Sequence, residues 1–176
     1  MYTASAAVPL KLFRATPISE GGSLEEALTR ELSRTQRTGT PLTLLVADLD
    51  HFKQVNDEHG HAAGDDALRQ FCRTIEREKR GHDLLGRLGG EEFAIVLLDT
   101  DAEGGRQFAE RVRGTLARVA QGPSFTASIG VAERTAALTA TSQLMHAADT
   151  ALYAAKESGR DRVLVAGPSV PRVAVA

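Results

Sequence analysis

Two acidic pairs carry the strongest chemical signal in this sequence. Asp48 and Asp50 flank Leu49, and the consecutive Glu91 and Glu92 follow Gly89 and Gly90. The aspartates end a continuous apolar run over 42–47, which fits a strand buried on both faces. Asp48 and Asp50 are expected on opposite sides of that strand end, so that only one of them serves a given site. If the hairpin bearing the glutamates pairs beside this strand, one aspartate and one glutamate converge. Two carboxylates, with positions left for water and phosphate oxygens, suit a hard cation such as Mg²⁺ or Mn²⁺. Such an ion polarises a phosphoryl centre and lowers the pKa of an attacking hydroxyl. A lone acidic residue in either place would usually do no more than end a strand or decorate a turn. Two glutamates between glycines and the apolar Phe93 exceed what a turn requires, because turns call for Gly, Asn or Asp. Gly89 and Gly90 admit positive φ and let a phosphate or base approach the main chain.

Other residues suited to a nucleotide surround these pairs. Phe52 and Lys53 follow the aspartates directly, bringing Lys53 within reach of a phosphate, with Asn56 and Asp57 close behind. Gly60 and Gly64 are expected to bracket a short loop that delivers Asp65 to the start of a helix. Asp is a favoured N-cap, and Asp66 could fill that role equally well, leaving Asp65 for a ligand. Lys156 and Arg160 stand four apart near the end of the last helical pattern; taken alone, they read as a solvated helix face.

These residues need a scaffold, and the apolar pattern outlines one. Ser23 and Glu26 have capping-box spacing ahead of a helix with Ala27, Leu28 and Leu32 on one side, broken by Gly39 and Pro41. The apolar run over 42–47 is the first strand. Leu68, Phe71, Cys72 and Ile75 predict a helix over 65–79. Apolar runs over 84–88 and 93–98 form the arms of the hairpin. Phe108, Val112, Leu116 and Val119 mark another helix, 125–132 alternates as a strand, Leu144, Ala148, Leu152 and Ala155 mark the last helix, and 163–165 is a short final strand. The order predicts an α/β (α+β) fold: a ferredoxin-like, palm-type βαββαβ sandwich with an added N-terminal helix and C-terminal strand. Residues 1–20 read as a leader or linker remnant, 21–166 as the catalytic domain, and 167–176, with Pro168 and Pro171, as a loose tail.

Bulk properties bound the function. The chain has 176 residues and 18.8 kDa, which suits one domain. A formal net charge of -2 provides no global positive field for nucleic acid or an anionic membrane. The single cysteine, Cys72, forms no internal disulfide and suits a reducing, cytoplasmic setting. No stretch approaches the length of a membrane-spanning helix.

Taken together, these residues resemble the GGDEF family of diguanylate cyclases over about 23–165. The signature stands here as Gly89-Gly90-Glu91-Glu92-Phe93, the GGEEF variant. Upstream lie Asp48-Leu49-Asp50-His51-Phe52-Lys53-Gln54-Val55-Asn56-Asp57 and Gly60-His61-Ala62-Ala63-Gly64-Asp65; downstream lie Ala148-Asp149-Thr150-Ala151-Leu152-Tyr153-Ala154-Ala155-Lys156 and Gly159-Arg160. One such motif would be a weak signal, and four in register are specific. The resemblance implies condensation of two GTP molecules into cyclic di-GMP with release of two pyrophosphates. It implies that Asp48, the Leu49 main-chain carbonyl and Glu91 hold the metal, with Glu92 at the same centre. One of the two glutamates would then be the base for the 3′-hydroxyl. Asn56 and Asp65 would read the guanine edge, and a shorter residue in place of Asp65 would relax the choice of base. Lys53, Lys156 and Arg160 would grip the triphosphate. Phe52, Gly89 and Gly90 would border the substrate, and His61 would prop the loop.

Arg80-Gly81-His82-Asp83 resembles the family's RxxD inhibitory site in pattern and in distance from the signature. There the arginine would stack on a guanine of cyclic di-GMP and the aspartate would accept from it, with Arg111 as a second contact. Each chain resembles half an active site, which implies a homodimer, at least transient. The block that usually opens the family, of the form D-x-L-T-G-L-x-N-R-R, is replaced here by Ile18-Ser19-Glu20-Gly21-Gly22-Ser23-Leu24. No sensor or receiver domain is recognisable, so the chain is expected to be either a fragment of a larger regulated protein or a small stand-alone enzyme controlled by its own N-terminus or by a partner. Two alternatives remain: a non-catalytic module that binds cyclic di-GMP or GTP as a sensor, and another nucleotidyl cyclase or polymerase-palm relative.

Overall fold

Every residue of the strand Leu42–Leu49 (β1) is buried, which a strand achieves only when both faces of its sheet are covered. In the computed structural model, which describes residues 23–119 and 125–167, helices supply that cover on both sides. The helix Leu24–Thr38 (α1) precedes β1, and the helices Phe52–His59 (α2) and His61–Glu78 (α3) follow it. The strands Leu84–Gly89 (β2) and Glu92–Leu98 (β3) form the hairpin. The helix Ala102–Val119 (α4), the strand Ala127–Glu133 (β4), the helix Thr141–Glu157 (α5) and the strand Val163–Val165 (β5) complete the order. The sheet runs β2-β3-β1-β4-β5, with β1 antiparallel to both neighbours and β5 parallel to β4. This is the expected sandwich with the added N-terminal helix and C-terminal strand.

Strand alternation divides the core in two. Leu45, Ala47 and Leu49 of β1 face Phe71, Ile75, Phe108 and Leu116 of α3 and α4. Leu42, Leu44 and Val46 face Leu28 and Leu32 of α1 and Leu144, Ala148 and Leu152 of α5. The start of α1 is as the spacing predicts: Ser23 Oγ accepts from the Glu26 amide, the Glu26 carboxylate accepts from the Ser23 amide, and Gly39 ends the helix at φ 71°.

One expectation fails between β1 and β2. The predicted loop before Asp65 is helical: α2 occupies 52–59, only Gly60 (φ 84°) separates it from α3, and Gly64, Asp65 and Asp66 lie inside α3. Neither aspartate is therefore an N-cap. The apolar period that reveals a helix is nearly absent here, since Val55 is the only buried residue of α2. Gly64 looks like a loop residue but is an interior packing residue, because a Cβ there would fall on the Asn56 side-chain amide.

Among the described residues, no helix is long and apolar enough to cross a membrane. The proposed leader over 1–20, residues 18–22 of the altered opening block over 18–24 and residues 168–176 of the proposed tail over 167–176 lie outside the described residues.

Candidate active site

The hairpin does pair beside β1, and the register sets the site. Asp48 lies directly across from Glu92 on β3 and from Ser128 on β4. Directly opposed residues of antiparallel strands project to the same face, so the Asp48 and Glu92 carboxylates are neighbours. Glu91 stands in the connecting turn, and its main-chain carbonyl accepts from the Leu49 amide at 3.4 Å, closing the turn over the end of β1. Gly90 takes φ 48°, and its carbonyl accepts from Arg87 Nε at 2.8 Å, which braces the turn.

A cation from the far end of the sequence meets these carboxylates. Lys156, in the last turn of α5, places Nζ 2.9 Å from Asp48 Oδ2. It does so because α5 packs on the face of β1 that Asp48 shares. Read alone, Lys156 belonged to a solvated face; the fold makes it part of the site. Arg160 follows in the turn after α5, exposed and at φ 61°.

Burial and neighbouring negative charge act together on the cluster. Asp48 is only 5% exposed, and desolvation, opposed by Lys156 and reinforced by Glu91 and Glu92, pushes its pKa up to about 6. Partial desolvation also raises Glu92, with Lys156 opposing and Asp149 and Glu91 adding to the rise. Asp149 is raised by desolvation against the pull of His146 and Lys156. Asp149 is thus a further member of the cluster with no role assigned from the sequence; its spacing of seven from Lys156 on α5 is the signal that it shares that helix face.

The shift of Asp48 carries a stability consequence with a definite sign. A folded-state carboxylate that holds its proton more tightly than the unfolded chain contributes stability in full below the ordinary value of about 4. That contribution is lost as pH rises through about 6. Melting the metal-free protein and Asp48→Asn across this window should show the wild type losing ground to the variant as pH rises. A gap independent of pH would mean that Asp48 ionises without penalty.

Asp50 departs from its expectation. Strand alternation has a period of two, so Asp48 and Asp50 share a side rather than opposing each other. Their partners distinguish them. Asp50 Oδ1 accepts from Ser128 Oγ, the residue opposite Asp48, and Oδ2 accepts from Thr126 Oγ1, each at 2.7 Å. Sequence spacing offered no sign that Thr126 and Ser128 would take up this carboxylate.

The remaining candidates fall into three groups. Lys53 is exposed in the first turn of α2, and Phe52 packs partly into the core beneath it. Asn56 lies against Gly64, next to the exposed Asp65, and His61 is the exposed first residue of α3. Arg80 and Asp83 lie at the other end of the hairpin. The buried Asp83 carboxylate accepts from the Arg80 amide at 2.8 Å and the Leu98 amide at 3.1 Å, while the Arg80 side chain is exposed. Arg111 is exposed, 3.4 Å from Glu78 and stacked over Phe108.

The chain is similar to known proteins in both sequence and fold. A family model described as diguanylate cyclase, GGDEF domain, matches residues 15–162. Diguanylate cyclase DgcP of Pseudomonas aeruginosa is 38% identical over 156 residues, covering 86% of this chain and 23% of that protein. Probable diguanylate cyclase DgcT of Escherichia coli is 37% identical over 145 residues, covering 78% of this chain and 32% of that protein. The chain thus spans well under half the length of these two relatives. Among solved structures, the active GGEEF domain of a diguanylate cyclase from Vibrio cholerae has a TM-score of 0.79 at 31% identity, over 83% of this chain and 96% of that chain. The GGDEF domain of DgcB from Caulobacter crescentus, in complex with c-di-GMP, has a TM-score of 0.76 at 34% identity, over 80% of this chain and 86% of that chain. A carboxylate pair held by β1 and β3 and faced by a lysine from α5 therefore sits in a chain that belongs to the family of diguanylate cyclase GGDEF domains.

Proposed function

We propose that two copies of this chain condense two GTP molecules into cyclic di-GMP, releasing two pyrophosphates, with Mg²⁺ or Mn²⁺ bound. The observation that carries this reading is the register of Asp48 against Glu92, with Glu91 in the turn beside them and Lys156 at 2.9 Å. Desolvation and neighbouring negative charge raise the proton affinity of Asp48 and Glu92, and a donor set so short of positive charge suits a divalent cation. Asp48, Glu91 and the Leu49 carbonyl would hold it. Among the described residues no three His, Cys, Asp or Glu side chains close on one point, so the other ligands would be main-chain, water and phosphate oxygens. When bound, the ion polarises the α-phosphate and lowers the pKa of the hydroxyl that attacks it.

The chain's own residues do the rest. Lys53, Lys156 and Arg160 hold the triphosphate, and Phe52, Gly89 and Gly90 border it. Asn56 and Asp65 read the guanine edge, with His61 supporting that corner. Glu91 or Glu92 takes the proton of the 3′-hydroxyl. The 3′-oxygen then bonds to the α-phosphorus of the nucleotide on the other chain, the bond from that phosphorus to its β-phosphate bridge breaks, and pyrophosphate leaves. The same exchange in the opposite direction closes the ring, which requires a two-fold arrangement of two half-sites. Product rebinding at Arg80, Asp83 and Arg111 would restrain the rate. A sensor, receiver or activator partner would supply the signal.

Incubating the purified chain with GTP and Mg²⁺ and separating the nucleotides tests the reading. Cyclic di-GMP should accumulate, and more slowly when cyclic di-GMP is added at the start. Tight cyclic di-GMP binding with no synthesis at high protein concentration would replace this reading with the sensor.

A further inference from the structure

Asp50 has no part in the chemistry just described, yet it is the more deeply buried of the two aspartates, at 2% exposure. Its carboxylate takes three hydrogen bonds from neutral donors: Ser128 Oγ at 2.7 Å, Thr126 Oγ1 at 2.7 Å and the Asp161 amide at 3.0 Å. Its own amide donates to the Thr126 carbonyl at 2.9 Å. A buried carboxylate is costly to desolvate, and charge-assisted bonds to well-placed donors are the means of offsetting that cost.

The third of those donors belongs to an unusual stretch of backbone. Gly159, Arg160 and Asp161 all have positive φ, at 113°, 61° and 45°. Two successive non-glycine residues in the left-handed region persist only where the surroundings over-determine them. Here they are held from several directions. The Arg160 amide donates to the Ala155 carbonyl at 3.1 Å, and Arg162 Nε donates to the Arg160 carbonyl at 2.8 Å. Asp161 is gripped at both ends: its amide by Asp50, and its carboxylate by Arg113 Nη1 of α4 at 2.8 Å. The backbone on either side of Arg160 is anchored while its guanidinium remains exposed.

We propose that Asp50, together with Arg113, is a positioning residue that holds the Arg160–Asp161 turn and so aims the Arg160 guanidinium at the triphosphate. This rests on the phosphate-binding reading of Arg160 given above. Asp50 lies two residues from Asp48, so the bond from Asp161 to Asp50 ties the phosphate grip to the carboxylate pair. Setting that separation before substrate arrives removes an ordering cost from binding.

A double-mutant cycle tests this, read by calorimetry with α,β-methylene GTP, which cannot release pyrophosphate, and by the KM for GTP against kcat. Asp50→Ala should weaken analogue binding roughly ten-fold and raise KM in proportion, but weaken it less than about two-fold further in an Arg160→Ala background. Asp50→Asn should recover most of the affinity, because its amide oxygen can still accept from Asp161 while its NH₂ donates to Ser128 Oγ. Equal losses from Asp50→Ala in both backgrounds, or none in either, would overturn the positioning role while leaving the grip intact. Arg160→Ala with undiminished analogue affinity would instead overturn the grip itself. If Asp50→Ala melts below assay temperature, Arg113→Met releases Asp161 from the other side and runs through the same cycle with the same criteria.

Discussion

Glu91→Gln combined with Glu92→Gln should cut cyclic di-GMP synthesis by about a thousand-fold or more. Glutamine matches glutamate in size, so the turn keeps its packing. The hydrogen bond that closes the turn uses the Glu91 main-chain carbonyl, which the substitution leaves in place. What is lost is negative charge at the point where, on the proposed reading, a cation and a proton are held. The same change removes like charge from around Asp48 and removes the ionisation of Glu92 against its surroundings. The metal-free variant should therefore melt no lower than its parent, which separates loss of chemistry from loss of fold.

The double variant should still bind cyclic di-GMP. Asp83 sits beside Leu98, at the opposite end of the hairpin from the glutamates. The intervening strand has six residues, roughly 20 Å of extended chain. Calorimetry with cyclic di-GMP alongside the synthesis assay reads both sites in one preparation. Retention of a tenth or more of parental synthesis would show that these carboxylates are not the reaction centre. Loss of cyclic di-GMP binding would show that the product site is not at Arg80 and Asp83.

Gly130→Ala should destabilise the fold by about 3 kcal/mol or more, at the upper end of the overpacking range. At the size of this chain that corresponds to a fall in Tm of about 10 °C. Gly130 is the β4 residue over which α5 passes, and a Cβ there would collide with the Ala148 carbonyl and the Leu152 amide and Cα. These are backbone atoms, which no rotamer change can move aside. The helix would have to lift, and α5 carries Lys156 to Asp48. Gly114→Ala in α4 is the control: a Cβ at that site meets nothing within 4 Å, and relief of the glycine helix penalty should stabilise by roughly 0.5–1 kcal/mol. Thermal melts of the two variants decide the matter. Gly130→Ala melting within a few degrees of its parent would mean that the close approach of α5 to the sheet is not needed for stability.

The local chemistry of the chain is written in short segments. A capping box, an unbroken apolar strand and two apolar arms around a glycine turn each depend on residues a few positions apart, and each lies where its pattern predicts. The acidic motifs are legible for the same reason, and so is their pairing once the hairpin is laid beside β1. The helix α2 was not legible, because a surface helix with a single buried residue leaves no apolar period to detect. Gly64 misled for a related reason: a small residue demanded by the neighbouring Asn56 side chain has the same letter as one demanded by a turn.

Only the assembled sheet decides which residues meet. The register of Asp48 against Glu92 and Ser128 is set by the packing of whole strands. Lys156 turns from a solvated cation into the partner of Asp48 because α5 crosses close to Gly130. Asp50, the twin of Asp48 in composition, becomes a structural anchor because Thr126, Ser128 and Asp161 arrive beside it from distant parts of the chain. Residue type and spacing specify what chemistry is available. Long-range pairing, which must overcome the entropy of closing large loops and so depends on the whole core, specifies which identical residues perform it.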